Sequence, residues 1–333
     1  MTRVASVGAL LAALFLVPSA QPAALQSSAP PQSSPPPPSS APLQPPPPLQ
    51  VPPPWQLPVP LRVPPLLQWP PSLDEPQPAP QPQQPGEPRQ GQAGKDVIWL
   101  PTPEALVERM LAMAQVGPKD VVYDLGSGDG RMVIAAAKRG ARAVGVEFNP
   151  ELVTFSERRA REHGVAGKAR FVQGDIFATS FSEATVVTLY LLSTLNMRLR
   201  PTLLEMRPGT RVVSHAFNMD DWEADEVSRA DGRTAYLWIV PARVEGAWRL
   251  ELAGGTAYEV ALVQRYQKLE GTVALGPVDA GLRDLTLRGD RIRFGFVDAG
   301  GTAVELEGTA TGDRMSGSYQ AAGKRGTWTA AKR

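Results

Sequence analysis

Hydrophobic and polar positions divide this chain into four textures. Met1-Thr2-Arg3 leads into Val4 to Val17, an uncharged and mostly apolar run. From Gln21 to about Gly94 proline dominates, with 28 of the chain's 36 prolines lying before residue 90. From Lys95 to about Ala242, short β-branched runs alternate with longer stretches at helical spacing. From Arg243 onward, short alternating segments are separated by glycine-containing turns.

The third texture predicts strands and helices in alternation. Apolar residues at Leu106, Val107, Met110, Leu111 and Met113-Ala114 predict a helix over Glu104 to Gln115, with Pro103 at its start, where a missing N–H does no harm. Val121 to Leu125 is a buried strand, Met132 to Lys138 a helix closed by Gly140, and Ala141 to Val146 a second strand ending on Glu147. A helix from Pro150 to Glu162, stopped at Gly164, leads to a third strand at Ala169 to Gln173. Thr185 to Leu191 is the fourth, Asn196 to Met206 a helix interrupted near Pro201, and Thr210 to Ala216 the fifth. Ala224 to Arg229 and Thr234 to Val240 flank Asp231-Gly232 as a terminal hairpin, which brings the expected strands to seven.

The last texture predicts an antiparallel meander of six to eight strands, a small barrel or sandwich. Its segments are Trp248 to Leu252, Tyr258 to Val263, Leu269 to Leu275, Leu285 to Leu287, Arg291 to Val297, Thr302 to Leu306 and Thr327 to Thr329. Presentation of a ligand or substrate and simple stabilisation are both open for it. The first two textures predict a secretory signal peptide over 1–20, cut after Ala20, and a disordered tract of polyproline character over 21–94. The expected location is therefore exported, periplasmic or in the cell envelope, with a membrane anchor as the alternative if the leader is kept. Trp55 and Trp69 in the tract could form a docking motif. The expected domains are 95–242, α/β, and 243–333, all-β.

Composition narrows the chemistry. With 34 basic and 33 acidic residues there is no global pull toward nucleic acid or anionic lipid. No cysteine is present, and His163 and His215 are the only histidines, which removes disulfides, thiol nucleophiles and Cys- or His-rich metal sites. No metal is expected.

The candidate chemistry lies in Asp124 to Gly130, D-L-G-S-G-D-G, between the first strand and its helix. Glycines there let backbone approach a ligand and aim free N–H groups at it. The dinucleotide fingerprint is G-x-G-x-x-G, whereas this turn is one residue shorter between its last two glycines. The strand also ends on Asp124, a carboxylate badly placed for a pyrophosphate and well placed for an ammonium, such as the amino-acid end of S-adenosylmethionine (SAM). Glu147 at the second strand tip can hold ribose hydroxyls in either case. Three classes stay open: a SAM-dependent transferase, an exported Rossmann-like binding module without turnover, and a nicotinamide oxidoreductase.

D-L-G-S-G-D-G-R, followed one βα step later by V-G-V-E-F-N-P, resembles motifs I and II of class I (seven-strand) SAM-dependent methyltransferases over about Trp99 to Pro241. Pro101-Thr102-Pro103 and Arg207 to His215 make the chain most similar, within that superfamily, to the lysine methyltransferases related to the enzyme that modifies the c-subunit of mitochondrial ATP synthase. The resemblance implies a Rossmann-like sheet, SAM as cofactor and a protein lysine as methyl acceptor. It implies cofactor contacts from Asp124, Gly126, Ser127, Gly128, Asp129, Gly130, Glu147 and Asn149, from Asp175 and Ile176 at the adenine, and from Thr102, which could equally cap the first helix. Tyr190, at the carboxyl end of the fourth strand, is the candidate for orienting the acceptor, or else a core aromatic. His215 lacks an evident Ser/His/Asp partnership, and His163 belongs at a helix end.

Overall fold

A computed structural model describes residues 100–333. The expected leader, the proline-rich tract and Trp55 and Trp69 lie outside the described residues.

The first sheet has seven strands in the order β3-β2-β1-β4-β5-β7-β6. These are β1 (Val121–Leu125), β2 (Arg142–Glu147), β3 (Ala169–Gln173), β4 (Val186–Leu189), β5 (Arg211–His215), β6 (Glu226–Ala230) and β7 (Arg233–Ile239). The first five run parallel, and β7 pairs antiparallel with β5. Both faces of the central strands are covered, which is why they read as continuous apolar runs. Val122, Ala143, Val186 and Val213 point into one core with α1 (Glu104–Met113) and α2 (Arg131–Lys138). Their neighbours Tyr123, Val144, Val187 and Val212 point into the other, against Leu199 and Leu203 of α4 (Ser193–Leu204). The remaining helix, α3 (Pro150–Glu162), packs on β3 and β2. The chain steps outward from β1 to β3, then returns to the other side of β1 for β4, so strand order reverses between them. Ligands of open α/β sheets bind at such a reversal, beyond the carboxyl ends of the strands.

One helix differs from expectation. α4 begins at Ser193 and continues through Pro201 without a break. Pro201 is exposed while Leu199 and Leu203 are buried, so apolar packing on the inner face outweighs the backbone hydrogen bond lost on the outer one.

The second sheet holds nine antiparallel strands, more than the six to eight expected. In chain order they are β8 (Gly246–Leu252), β9 (Ala257–Arg265), β10 (Lys268–Leu275), β11 (Val278–Gly281), β12 (Arg283–Arg288), β13 (Arg291–Val297), β14 (Ala303–Thr311), β15 (Arg314–Ala321) and β16 (Lys324–Lys332). Their spatial order is β11-β10-β9-β8-β16-β15-β14-β13-β12. β16 returns to pair with β8, and the two ends of the sheet approach where β12 meets β10 and β13 meets β11, making a near-barrel. Side chains fill the interior: Trp248, Trp328, Phe294 and Phe296 are each at most 2% exposed. Gly308 and Gly317 pair across β14 and β15, and a Cβ on Gly317 would stand 1.9 Å from Glu307 O. No side chain fits there, and the Trp328 ring occupies the space beside Gly308.

Candidate active site

The site is built from the tips of β1, β2, β3 and β4 and the turns that leave them. Asp124, the fourth residue of β1, is 7% exposed, and Thr188 of the adjacent β4 donates to its Oδ1 at 2.7 Å. Burial pushes the Asp124 carboxyl up to about 7; the Thr188 hydrogen bond opposes this, and the nearby charges of Glu147 and Asp129 add to it. Such a carboxylate gains most from a cationic partner brought against it.

The turn after β1 is fixed by its backbone. Gly126 and Ser127 N–H both donate to Val146 O, at 2.8 and 3.1 Å. Gly126, Gly128 and Gly130 have φ of 83°, 54° and 76°, a conformation costly for other residues. Gly128 N–H donates to Glu147 Oε2 and Asn149 N–H to Glu147 Oε1, both at 2.9 Å, so the carboxylate at the tip of β2 is held in one orientation. Ser127 Oγ is buried without a protein partner, close over Gly145.

Asp129 carries a different load. Its carboxylate is gripped by Arg131 at 2.7 Å and Arg159 at 2.8 Å, which locks the turn to α3. Arg131 also donates to Thr102 O at 2.8 Å, tying the segment before α1 across the turn. Thr102 does not cap α1, whose N-cap is Pro103 with no side-chain bond; its hydroxyl instead meets His215 Nδ1 at 3.1 Å.

These pieces surround a cavity of about 470 Å³. Of the residues expected to bind cofactor, Thr102, Asp124, Gly126, Ser127, Gly128, Asp129, Glu147, Asn149, Asp175 and Ile176 all line it. Gly130 does not; a Cβ there would lie 2.7 Å from the Phe171 ring, so its role is packing of α2 against β3. Asn149 spends its Oδ1 on Glu151 N–H as the cap of α3. Asp175 Oδ1 accepts from Phe177 N–H at 2.9 Å.

Tyr190 lines the same cavity, one residue beyond β4. Its ring stacks on His215 with centroids 3.8 Å apart and lies 6.3 Å from Phe217. His215 is buried, its Nε2 has no partner, and burial together with the Arg233 charge lowers its pKa to about 4. It is therefore a neutral ring that shelves Tyr190, not a base at neutral pH. His163 is the exposed C-cap of α3.

Sequence reasoning missed Thr188, Arg131, Phe148, Leu191 and Phe217. The first needs the β1–β4 pairing, which joins segments 64 residues apart. Phe148 and Arg131 stand inside the quoted motifs, and their position there was the available signal. Leu191 approaches to 3.3 Å of a Cβ placed on Gly126, a contact that only the folded turn reveals.

A sheet that reverses between β1 and β4, an acid-tipped β1, a three-glycine turn and a second acid locked at the tip of β2 together define a class I SAM-dependent methyltransferase. The residues present fit that cofactor: a buried carboxylate suits its ammonium, Ser127 of the same lining keeps an unpartnered hydroxyl, and apolar Ile176 and Leu191 suit its adenosine and sulfonium ends.

Comparison with known proteins takes the identification further. The profile of the ANTKMT methyltransferase domain matches residues 124–226. A protein-lysine N-methyltransferase of Saccharolobus islandicus is 45% identical over 151 residues, covering 43% of this chain and 94% of the relative. The lysine N-methyltransferase of the ATP synthase c-subunit from Rattus norvegicus is 37% identical over 152 residues, 44% of this chain and 69% of that one. A solved RNA methyltransferase from Salinibacter ruber, in complex with S-adenosyl-L-homocysteine, is 51% identical, covers 44% of this chain and 96% of its own, and superposes with a TM-score of 0.43. This chain belongs to the protein-lysine N-methyltransferase family.

Proposed function

We propose that this enzyme methylates the side-chain amine of a lysine in a protein acceptor, with cofactor and acceptor meeting in the cavity between Asp124 and Tyr190. The observation that carries the reading is that single cavity. Its lining joins the carboxylates of Asp124, Glu147 and Asp175 to the aromatic pair Tyr190 and Phe217 and to the exposed apolar side chains Leu100 and Leu192.

SAM supplies a methyl group on a positively charged sulfur whose thioether is a ready leaving group. The protein's own part is placement and desolvation. The Asp124 carboxylate binds an ammonium, the Glu147 carboxylate, held by two backbone N–H groups, accepts from hydroxyls, and Asp175 with Ile176 receives the base. Around Tyr190, the apolar side chains Leu100 and Leu192 disfavour a charged lysine and so favour the free amine that can attack. Tyr190, held flat against His215, borders that position and orients the amine. The amine nitrogen gains a carbon and gives up a proton to solvent, because the neutral buried His215 is too weak a base to keep it. Holding the reacting atoms in line supplies a large share of the rate.

The test is tritium transfer from methyl-labelled SAM by the full chain to fractionated envelope protein, cytosolic protein and RNA. Label on lysine, identified by mass spectrometry and lost with Asp124→Asn, is the expected result. Label confined to RNA would overturn the acceptor class. Label confined to cytosolic protein would overturn the exported location, which is likewise a proposal.

A further inference from the structure

One tight turn of the C-terminal near-barrel grips the methyltransferase domain close to its cavity. Residues Arg265 to Lys268, between β9 and β10, hold Asp221, Trp222 and Glu223, which follow β5. Tyr266, at φ 55°, stacks on Trp222 with centroids 5.9 Å apart and planes at 25°. Its hydroxyl donates to the Asp221 carboxylate at 3.1 Å, and Arg265 pairs with the same carboxylate at 3.0 Å. Gln267 accepts from Trp222 Nε1 at 3.1 Å and donates to Glu223 O at 2.7 Å, while Lys268 pairs with Glu223 at 3.0 Å.

The gripped residues close a short segment that begins at the cavity wall. Phe217 lines the cavity next to Tyr190. Asn196 of α4 donates to Phe217 O at 3.2 Å, and Arg200 of α4 donates to Met219 O at 3.0 Å and pairs with Asp221. Residues 217–223 are thus held by α4 from Phe217 to Asp221 and by the near-barrel from Asp221 to Glu223. Asp124, Glu147 and Asp175 take no part in these bonds.

We propose that the near-barrel is part of the acceptor site: its β9–β10 turn fixes the position of Phe217 to Glu223, the wall against which the protein acceptor fits, and leaves the cofactor end unchanged. This rests on the reading that the acceptor enters at the Tyr190 end. Tyr266 is on this account a positioning residue, since it lies outside the cavity lining. The gripping side chains form a ring contact and ion pairs on one turn, so their removal affects one wall and not the whole cleft.

The full chain carrying Tyr266→Ala tests it, with Tyr266→Phe as the conservative variant that keeps the stacking. Initial rates of methyl transfer are measured against increasing concentrations of a total protein extract, and SAM affinity by calorimetry. The expected result for Tyr266→Ala is an apparent KM for the extract raised on the order of tenfold, with SAM affinity unchanged and largely restored behaviour in Tyr266→Phe. Should Tyr266→Ala fold poorly, the exposed pair Arg265→Ala with Lys268→Ala is read the same way. Unchanged extract KM, or SAM affinity weakened in step with it, overturns the proposal. Amide exchange separates the grip from the acceptor reading beneath it. Faster exchange over 217–220 in Tyr266→Ala shows the grip itself, and unchanged exchange there overturns it even if the wild-type enzyme labels no protein. That last outcome alone would sink the acceptor reading.

Discussion

At the scale of single residues, Asp124 is where electrostatics and function oppose each other most sharply. A carboxyl whose pKa is about 7 in the fold and about 4 in the unfolded chain binds protons more tightly in the fold. Its stabilising contribution is therefore complete below about pH 4 and is lost as pH rises to about 7, a swing on the order of 4 kcal/mol. Asp124→Asn removes that dependence. Urea midpoints of the ligand-free protein should fall more steeply with pH in wild type than in Asp124→Asn; parallel curves would show that the carboxyl is not perturbed. Gly126 makes a second residue-scale case, because φ of 83° and Leu191 at 3.3 Å leave little tolerance for a methyl group. Gly126→Ala should cost about 1–2 kcal/mol in stability and weaken SAM binding, measured by thermal unfolding with and without cofactor. Motif chemistry made Asp124, Glu147 and Asp175 legible from the sequence because each stands at a strand tip beside glycine or proline punctuation. Thr188 and His215 were not legible as partners, since each acts through a neighbour that the sequence places far away: Asp124 for the one, Thr102 for the other.

At the scale of elements, the parallel strands were legible because burial on two faces leaves an unbroken apolar run of four to six residues. β11 and β15 escaped notice for the opposite reason. Val278–Gly281 is almost wholly exposed, and Arg314–Ala321 alternates Met315 and Tyr319 with serine and glycine, so neither carries enough apolar signal. The same small residues set a limit on β15. Gly317 meets the backbone of β14 so closely that any Cβ forces the strands apart. Gly317→Ala should lower the stability of the near-barrel by roughly 2–4 kcal/mol and leave SAM affinity unaltered, with unfolding and calorimetry as the two readouts. A loss of SAM affinity as large as the loss of stability would mean that the two sheets unfold as one unit with the cofactor end.

At the scale of the whole molecule, two sheets of different construction share one wall. The methyltransferase sheet supplies the tips that face the cavity, and the near-barrel is filled by Trp248, Trp328, Phe294 and Phe296, so its contribution comes from its surface. The change of texture near Arg243 is visible in the sequence, but the contact between the parts is not, because Tyr266, Gln267 and Asp221 carry no motif. Among the described residues no helix is long and apolar enough to cross a membrane. The central claim is that the acid-tipped β1 and its glycine turn form a pocket for a sulfonium nucleoside, and calorimetric titration of SAM into the full chain at pH 6 and pH 8 tests it most directly. The prediction is saturable binding that tightens roughly tenfold from pH 6 to pH 8 as Asp124 ionises, with Asp124→Asn binding weakly at both. No binding by the wild type at about millimolar SAM, a concentration at which only ~4 kcal/mol of affinity is needed, would contradict the account.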